Sequence, residues 1–247
     1  MRPCRNWRKC HSARMKNKLK ISIVIPAKNE EATLAEVIKG VRPFGDEILV
    51  VDGHSKDRTT SIAKELGARV IFDHGLGKGD AIRCALSAIN GEITVFIDAD
   101  GSHDPNDIPK LTDPIIEGQA DLVIGSRMRG GSDELHSDVF EAIRLIGSTV
   151  ITQAINLRFG VKLTDYQNGF RAGRTDMLRR LPLRENITTI EQEMAIKALG
   201  MGFRVIDVAA HESVRKGGVT KISVLKVAHL YGFELLKDLS RQWKKDR

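Results

Sequence analysis

The chain has 247 residues, 41% hydrophobic and 29% charged, which suffices for a buried core without disulfides. Its three cysteines, Cys4, Cys10 and Cys84, form no paired framework and point to a reducing, cytoplasmic setting. The net charge of +7 belongs to one end, because residues 1–20 hold eight Lys or Arg and no acid, leaving the rest of the chain at −1. That distribution predicts a basic disordered tail over 1–20 on a nearly neutral body, and no nucleic-acid partner is expected. Cys4, Cys10 and His11 lack a fourth ligand at zinc spacing. No apolar signal core follows the basic start, and no run of 18 apolar residues is present to span a membrane.

In chain order, Ile21-Ser22-Ile23-Val24-Ile25-Pro26 reads as a buried strand ended by proline. Asn29 is placed to cap a helix from Glu30 to Lys39, with Leu34, Val37, Ile38 and Val41 on one face. A second strand covers Glu47 to Val51, and Ser55 or Asp57 opens a helix through Leu66, stopped by Gly67. Arg69 to Phe72 is a third strand, Asp80 to Asn90 a helix, Glu92 to Ile97 a fourth strand and Leu122 to Gly125 a fifth. The alternation predicts an α/β domain with a mostly parallel sheet flanked by helices. Beyond residue 130 the reading gives a helical stretch from Val139 to Phe159, a polar segment at 164–174, a helix around Ile190 to Leu199 and a strand from Phe203 to Val208. The loop Arg215-Lys216-Gly217-Gly218 leads to a last helix at about 222–240 with one apolar face and a basic end.

Ligands of such sheets bind at the C-terminal ends of the strands. Three polar turns fall at that edge: Lys28-Asn29-Glu30, Asp52-Gly53-His54-Ser55 and Asp98-Ala99-Asp100. Two carboxylates flanking one residue after a hydrophobic strand can share a hard cation such as Mg²⁺ or Mn²⁺ that in turn bridges phosphate oxygens. The same spacing also serves turns in which Asp caps backbone amides. An EF-hand is excluded, because counting from Asp98 places Gly101 fourth rather than sixth and Pro109 at the twelfth position. A phosphatase of the haloacid dehalogenase type suits Asp-x-Asp-Gly-Ser, but that motif belongs on a first strand and here it follows the fourth. Gly75-Leu76-Gly77-Lys78-Gly79 is not a P-loop, which needs Ser or Thr after the lysine.

Taken together, Ile25-Pro26-Ala27-Lys28-Asn29-Glu30, Val50-Val51-Asp52-Gly53-His54-Ser55-Lys56-Asp57, Gly77-Lys78-Gly79, Asp98-Ala99-Asp100 and Gly125-Ser126-Arg127 stand in one order. Asp165-Tyr166-Gln167-Asn168-Gly169-Phe170-Arg171 and the Arg215 loop follow. In this the chain resembles family 2 glycosyltransferases, in particular dolichol-phosphate mannosyltransferase and related polyprenyl-phosphate sugar transferases, over about residues 21–235. The resemblance implies a single GT-A-like domain at 21–221, with residues 222–247 as a C-terminal amphipathic helix and basic end. It also implies inverting, Mg²⁺- or Mn²⁺-dependent transfer of a hexose from a nucleoside diphosphate sugar to a polyprenyl phosphate.

Carried over by residue, Pro26, Lys28, Glu30, Asp52, Lys78, Asp98, Ala99 and Asp100 would bind the nucleotide sugar. Asp98, Asp100 and Ser102 would bind metal, with Ser102 standing where the subgroup often has Gln. Asp100, Arg127 and Arg215 would be catalytic, and Arg144, Ser148 and Arg215 would face the acceptor. An arginine at any of these positions can equally be an ordinary ion pair. The alternative acceptor is a soluble hydroxyl compound, for which Asp165 or Glu193 would be the base. The last helix suits peripheral docking at an anionic membrane surface on the cytoplasmic face, or packing on the domain.

Overall fold

The computed structural model describes residues 19–133 and 139–215. The basic tail and the helix expected at 222–240 lie outside the described residues.

The described chain folds as β1 (Ile21–Ala27), α1 (Leu34–Val41), β2 (Glu47–Asp52), α2 (Thr59–Glu65), β3 (Arg69–Phe72), α3 (Lys78–Ala88) and β4 (Ile93–Phe96). A 3₁₀ turn (Pro105–Asp107), α4 (Ile108–Ile116), β5 (Leu122–Ser126), the single turn α5 (Arg127–Gly130) and α6 (Val139–Phe159) follow. β6 (Arg171–Arg174), α7 (Thr175–Arg180), α8 (Thr189–Gly200) and β7 (Val205–Ala209) complete it. One seven-stranded sheet has the order β3-β2-β1-β4-β6-β5-β7. Every pairing is parallel except those of β6, which runs antiparallel to β4 and β5.

The period-2 geometry of β1 divides its side chains between two cores. Ile23 and Ile25 join a cluster with Leu34, Val37, Ile38, Leu111 and Ile115 from α1 and α4. Val24 faces the opposite cluster, with Ile82, Leu86, Ile190 and Met194 from α3 and α8. Burial on both faces is why β1 and β2 read as unbroken apolar runs. Pro26 is tolerated because the β1–β4 ladder ends at Val24 opposite Phe96.

Two local expectations are corrected. Helix α1 begins at Leu34 rather than Glu30, and Asn29 is a turn residue with φ +57°. Its side-chain oxygen accepts from the Lys56 amide (2.8 Å), while the Glu30 amide donates to Thr59 Oγ (2.8 Å), so both residues tie the first turn to the second. The segment read as polar at 164–174 ends in the central strand β6, whose sequence Arg-Ala-Gly-Arg carries no strand signal. Arg171 is fully buried there, its guanidinium donating to the carbonyls of Tyr166, Asn168 and Glu191. Burial lowers the Arg171 pKa to about 10, still charged at neutral pH, and the cation organises the 166–170 loop.

Helix α3 starts against the 185–186 segment, with the Gly79 amide donating to the Asn186 carbonyl (2.8 Å). A Cβ at Gly79 would overlap the Glu185 carbonyl oxygen, a backbone atom that cannot swing away. Gly79→Ala should therefore destabilise by about 1–3 kcal/mol, read as a melting point lower by roughly 2–12 °C.

Candidate active site

The sheet order places the C-terminal ends of β1, β2 and β4 on one rim, with the chain reversing its direction of growth between β1 and β4. That crevice is where an open α/β sheet binds its ligand. A cleft of about 620 Å³ opens there, between the turn after β1, the β3–α3 loop, the acidic turn after β4 and Arg215. Pro26, Lys28, Glu30, Lys78, Asp98, Ala99, Asp100 and Arg215 all line it. A second cavity of about 370 Å³ lies at the opposite end of the strands, and its arginines are engaged. Arg179 donates to the Leu86 and Ile89 carbonyls, while Arg174 and Arg204 pair with Asp121.

Lys78 is the centre of the charged cluster. Its ammonium sits 2.5 Å from Asp98 Oδ1 and 2.9 Å from Glu191 Oε1. Burial pulls the Lys78 pKa down, but the two carboxylates outweigh it and hold the ammonium above its ordinary range. Burial likewise works to raise Asp98, and Lys78 first, then His103 and Arg215, hold it at about 2. Both groups are therefore ionised across the physiological range. Gly169 makes room for this contact, since a Cβ there would stand 2.7 Å from the Lys78 nitrogen and 2.8 Å from Asp98 Oδ2.

Asp100 is held by the chain that follows it. Its Oδ1 accepts from the Ser102 amide (3.1 Å) and hydroxyl (2.7 Å), and Arg215 Nε lies 3.3 Å from Oδ2. Ser102 is 3% exposed and is not among the cleft-lining residues, and its hydroxyl orients Asp100. His103 is the residue sequence reasoning passed over. Its Nε2 is 4.0 Å from Asp98 Oδ2, its ring stacks on Phe170 at 5.0 Å, and its buried Nδ1 has no partner. Burial outweighs the surrounding carboxylates and lowers its pKa, so the imidazole is neutral near pH 7 and keeps a lone pair. Two carboxylates on one cleft wall, with the His103 imidazole behind Asp98, fit a divalent cation, with Asp98 and Asp100 as the residues that would hold it.

Asp52, Ser148 and Arg127 are not among the cleft-lining residues. Asp52 is fully buried and shapes the second turn, its oxygens accepting from the Ser55 amide (2.7 Å) and Thr60 hydroxyl (2.8 Å). Ser148 is half-buried on α6 away from the cleft lining, and the side chain of Arg144, on the same helix, lies outside the described residues. Arg127 is held by two acids. It forms a two-pronged pair with buried Asp165 (2.7 and 3.1 Å), stands 3.8 Å from Glu212, and does not line the cleft. Its work is to lock β5 to the 164–170 loop.

The same pair removes Asp165 as a free base. Burial works to raise its pKa, but Arg127 and the Gln167 amide carry it below the ordinary value. A depressed folded pKa means that the pair stabilises fully above the unfolded value, near pH 4, and fades as pH falls through the folded one. Asp165→Asn should thus lose about 3 kcal/mol at pH 7, with the gap to the parent narrowing in urea titrations as pH falls below about 4. Glu193 is equally engaged, accepting from the Arg184 and Glu185 amides and pairing with Lys197 one turn on.

Glu191 is the other residue the sequence did not single out. It is 2% exposed, and no spacing rule links it to Lys78, because α8 meets α3 only in the folded sheet.

The motifs and this geometry agree with comparisons to known proteins. Residues 22–182 match glycosyl transferase family 2. Glycosyltransferase AglJ of Haloferax volcanii is 31% identical over 74% of this chain, and the chain spans 60% of that relative's length. Dolichyl-phosphate hexose transferase of the same organism is 28% identical, over 80% of this chain and 84% of its own. Among solved structures, glucosyl-3-phosphoglycerate synthase from Mycobacterium tuberculosis, in complex with Mn²⁺, UDP and glucosyl-3-phosphoglycerate, has a TM-score of 0.71 at 26% identity. That comparison covers 92% of this chain and 82% of the other. No helix among the described residues is long and apolar enough to cross a membrane. On the match across 22–182 and on these relatives, the chain belongs to glycosyl transferase family 2.

Proposed function

We propose that this chain transfers a hexose from a nucleoside diphosphate sugar to a polyprenyl phosphate, with inversion, using Mg²⁺ or Mn²⁺ held by Asp98 and Asp100. The observation that carries the reading is the Asp98–Lys78–Asp100–Arg215 cluster on the wall of a cleft at the strand ends. Asp98 and Asp100 would hold a divalent cation there, and it would supply positive charge to offset that of the departing diphosphate.

The chain's own residues supply the rest. Pro26, Lys28 and Glu30 line the side of the cleft that would take the nucleoside. Arg215, beside Asp100, would present its guanidinium to a phosphate of donor or acceptor. A phosphate acceptor is already an anion at neutral pH and attacks without a general base, so positioning and charge neutralisation suffice. The dolichyl-phosphate relative supports that acceptor. The engagement of Asp165 and Glu193 in ion pairs also supports it over a hydroxyl acceptor, because both candidate bases are occupied.

A second reading, transfer to a soluble phosphorylated hydroxyl compound, is favoured by the glucosyl-3-phosphoglycerate synthase likeness. One assay separates them. Purified protein with Mn²⁺ and common UDP- and GDP-sugars should release nucleoside diphosphate when a polyprenyl phosphate is added, and not with 3-phosphoglycerate. Release with neither acceptor and any donor would defeat both readings. A lipid acceptor also implies peripheral residence on the cytoplasmic membrane face. Flotation with vesicles containing anionic lipid should recover the full chain, and less of a chain ended at residue 221.

A further inference from the structure

The β3–α3 loop carries a cluster that the proposed transfer does not use. His74 follows β3, and Asp80 and Cys84 lie one turn apart on α3, so their side chains share a face. Asp80 Oδ2 accepts from the His74 amide at 2.7 Å, which turns Oδ1 toward the His74 ring. Asp80 Oδ1 is 3.0 Å from His74 Nδ1, Cys84 Sγ is 3.5 Å from that nitrogen and 4.0 Å from that oxygen.

A tetrahedral ion with nitrogen, oxygen and sulfur at 2.0–2.3 Å holds its ligands about 3.3–3.6 Å apart. The three atoms already stand at nearly those separations, and the amide bond to Asp80 fixes the carboxylate's orientation from behind. Burial, then the charges of Asp80 and Asp73, push the Cys84 thiol up. A negative potential of this kind disfavours a bare thiolate and is cancelled by a dication. Arg83 also approaches Asp80 Oδ1, at 3.3 Å, but its guanidinium is shared with the Glu185 carbonyl and the Asn186 side chain. The His74 side chain is 74% exposed, so the cluster opens to solvent and leaves a fourth position for water.

We propose that His74 Nδ1, Asp80 Oδ1 and Cys84 Sγ bind a thiophilic divalent cation of the zinc class, at a site separate from Asp98 and Asp100. Coordination releases the thiol proton to solvent and involves no redox change. The two sites sort ions by chemistry, because a nitrogen–sulfur set selects zinc-class ions and paired carboxylates select Mg²⁺ or Mn²⁺. Occupancy would fasten the loop holding Gly75, Leu76 and Gly77, which line the cleft, to the body of α3.

Cobalt(II) is the probe. In the full chain with Cys4→Ser and Cys10→Ser, which removes the other two thiols, one equivalent of Co²⁺ should give a thiolate-to-cobalt charge-transfer band that Zn²⁺ displaces. The band should persist with Asp100→Asn and disappear with Cys84→Ser. His74→Asn, at an exposed side chain, should weaken the ion by at least about tenfold. No band, a band surviving Cys84→Ser, or unchanged affinity in His74→Asn overturns the proposal.

Discussion

Asp100→Asn is expected to lower kcat/KM for sugar transfer by roughly a thousandfold, about 4 kcal/mol of lost transition-state stabilisation. It should also abolish the thermal stabilisation that a sugar nucleotide gives only when Mn²⁺ is present. Asp100 is a cleaner test than Asp98, whose carboxylate also neutralises Lys78 and so mixes two effects. Asparagine keeps the oxygen that accepts from the Ser102 amide and hydroxyl, so the turn should hold its shape and the melting point should move little. Ser102→Ala is the companion measurement. If the hydroxyl only orients Asp100, its loss should cost about tenfold, whereas loss of a metal ligand would approach the Asp100 effect. Asp100→Asn activity within tenfold of the parent would defeat the metal-diphosphate role.

The first half of the fold was legible because its physics is local. Two-sided burial makes β1, β2 and β4 continuous apolar runs, and the 3.6-residue period of Leu34, Val37, Ile38 and Val41 marks α1. Position at the strand ends then gathers Lys28, Glu30, Asp98 and Asp100 without any knowledge of side-chain contacts. Helix α4 escaped because Pro109 and Pro114 interrupt it, the first at its tolerated opening position and the second inside it. β6 escaped because its burial is made possible by Arg171, whose cation satisfies carbonyls of the adjoining 166–168 loop and of Glu191 in α8. The arginines show the same limit within the site. Arg127 and Arg215 look alike as residues after a strand or in a loop. Only the fold reveals that Asp165 captures one while the other reaches Asp100. Ser102 and His103 are likewise told apart only by the fold, since the hydroxyl bonds Asp100 and the ring Nε2 stands 4.0 Å from Asp98.

Lys78→Met should show whether the central ammonium serves folding, transfer or both. The substitution keeps the aliphatic stem but leaves Glu191, 2% exposed, as a buried carboxylate without its counter-charge. Breaking a buried pair from one side costs about 3–5 kcal/mol, so the melting point should fall by roughly 6–20 °C. Asp98 is less affected structurally, because its side chain is 26% exposed and water can solvate it. Removing the second buried charge as well, in Lys78→Met with Glu191→Gln, should recover most of that stability. Activity should behave differently. The ammonium lies against the carboxylate expected to carry the metal and lines the cleft, so it is placed to meet diphosphate charge. Lys78→Met should lose roughly a hundredfold in kcat/KM, and the double variant should stay at that level despite its restored stability. Recovery of stability and activity together would mean that Lys78 only neutralises Glu191. A loss of activity that persists in a well-folded double variant places the lysine on the donor.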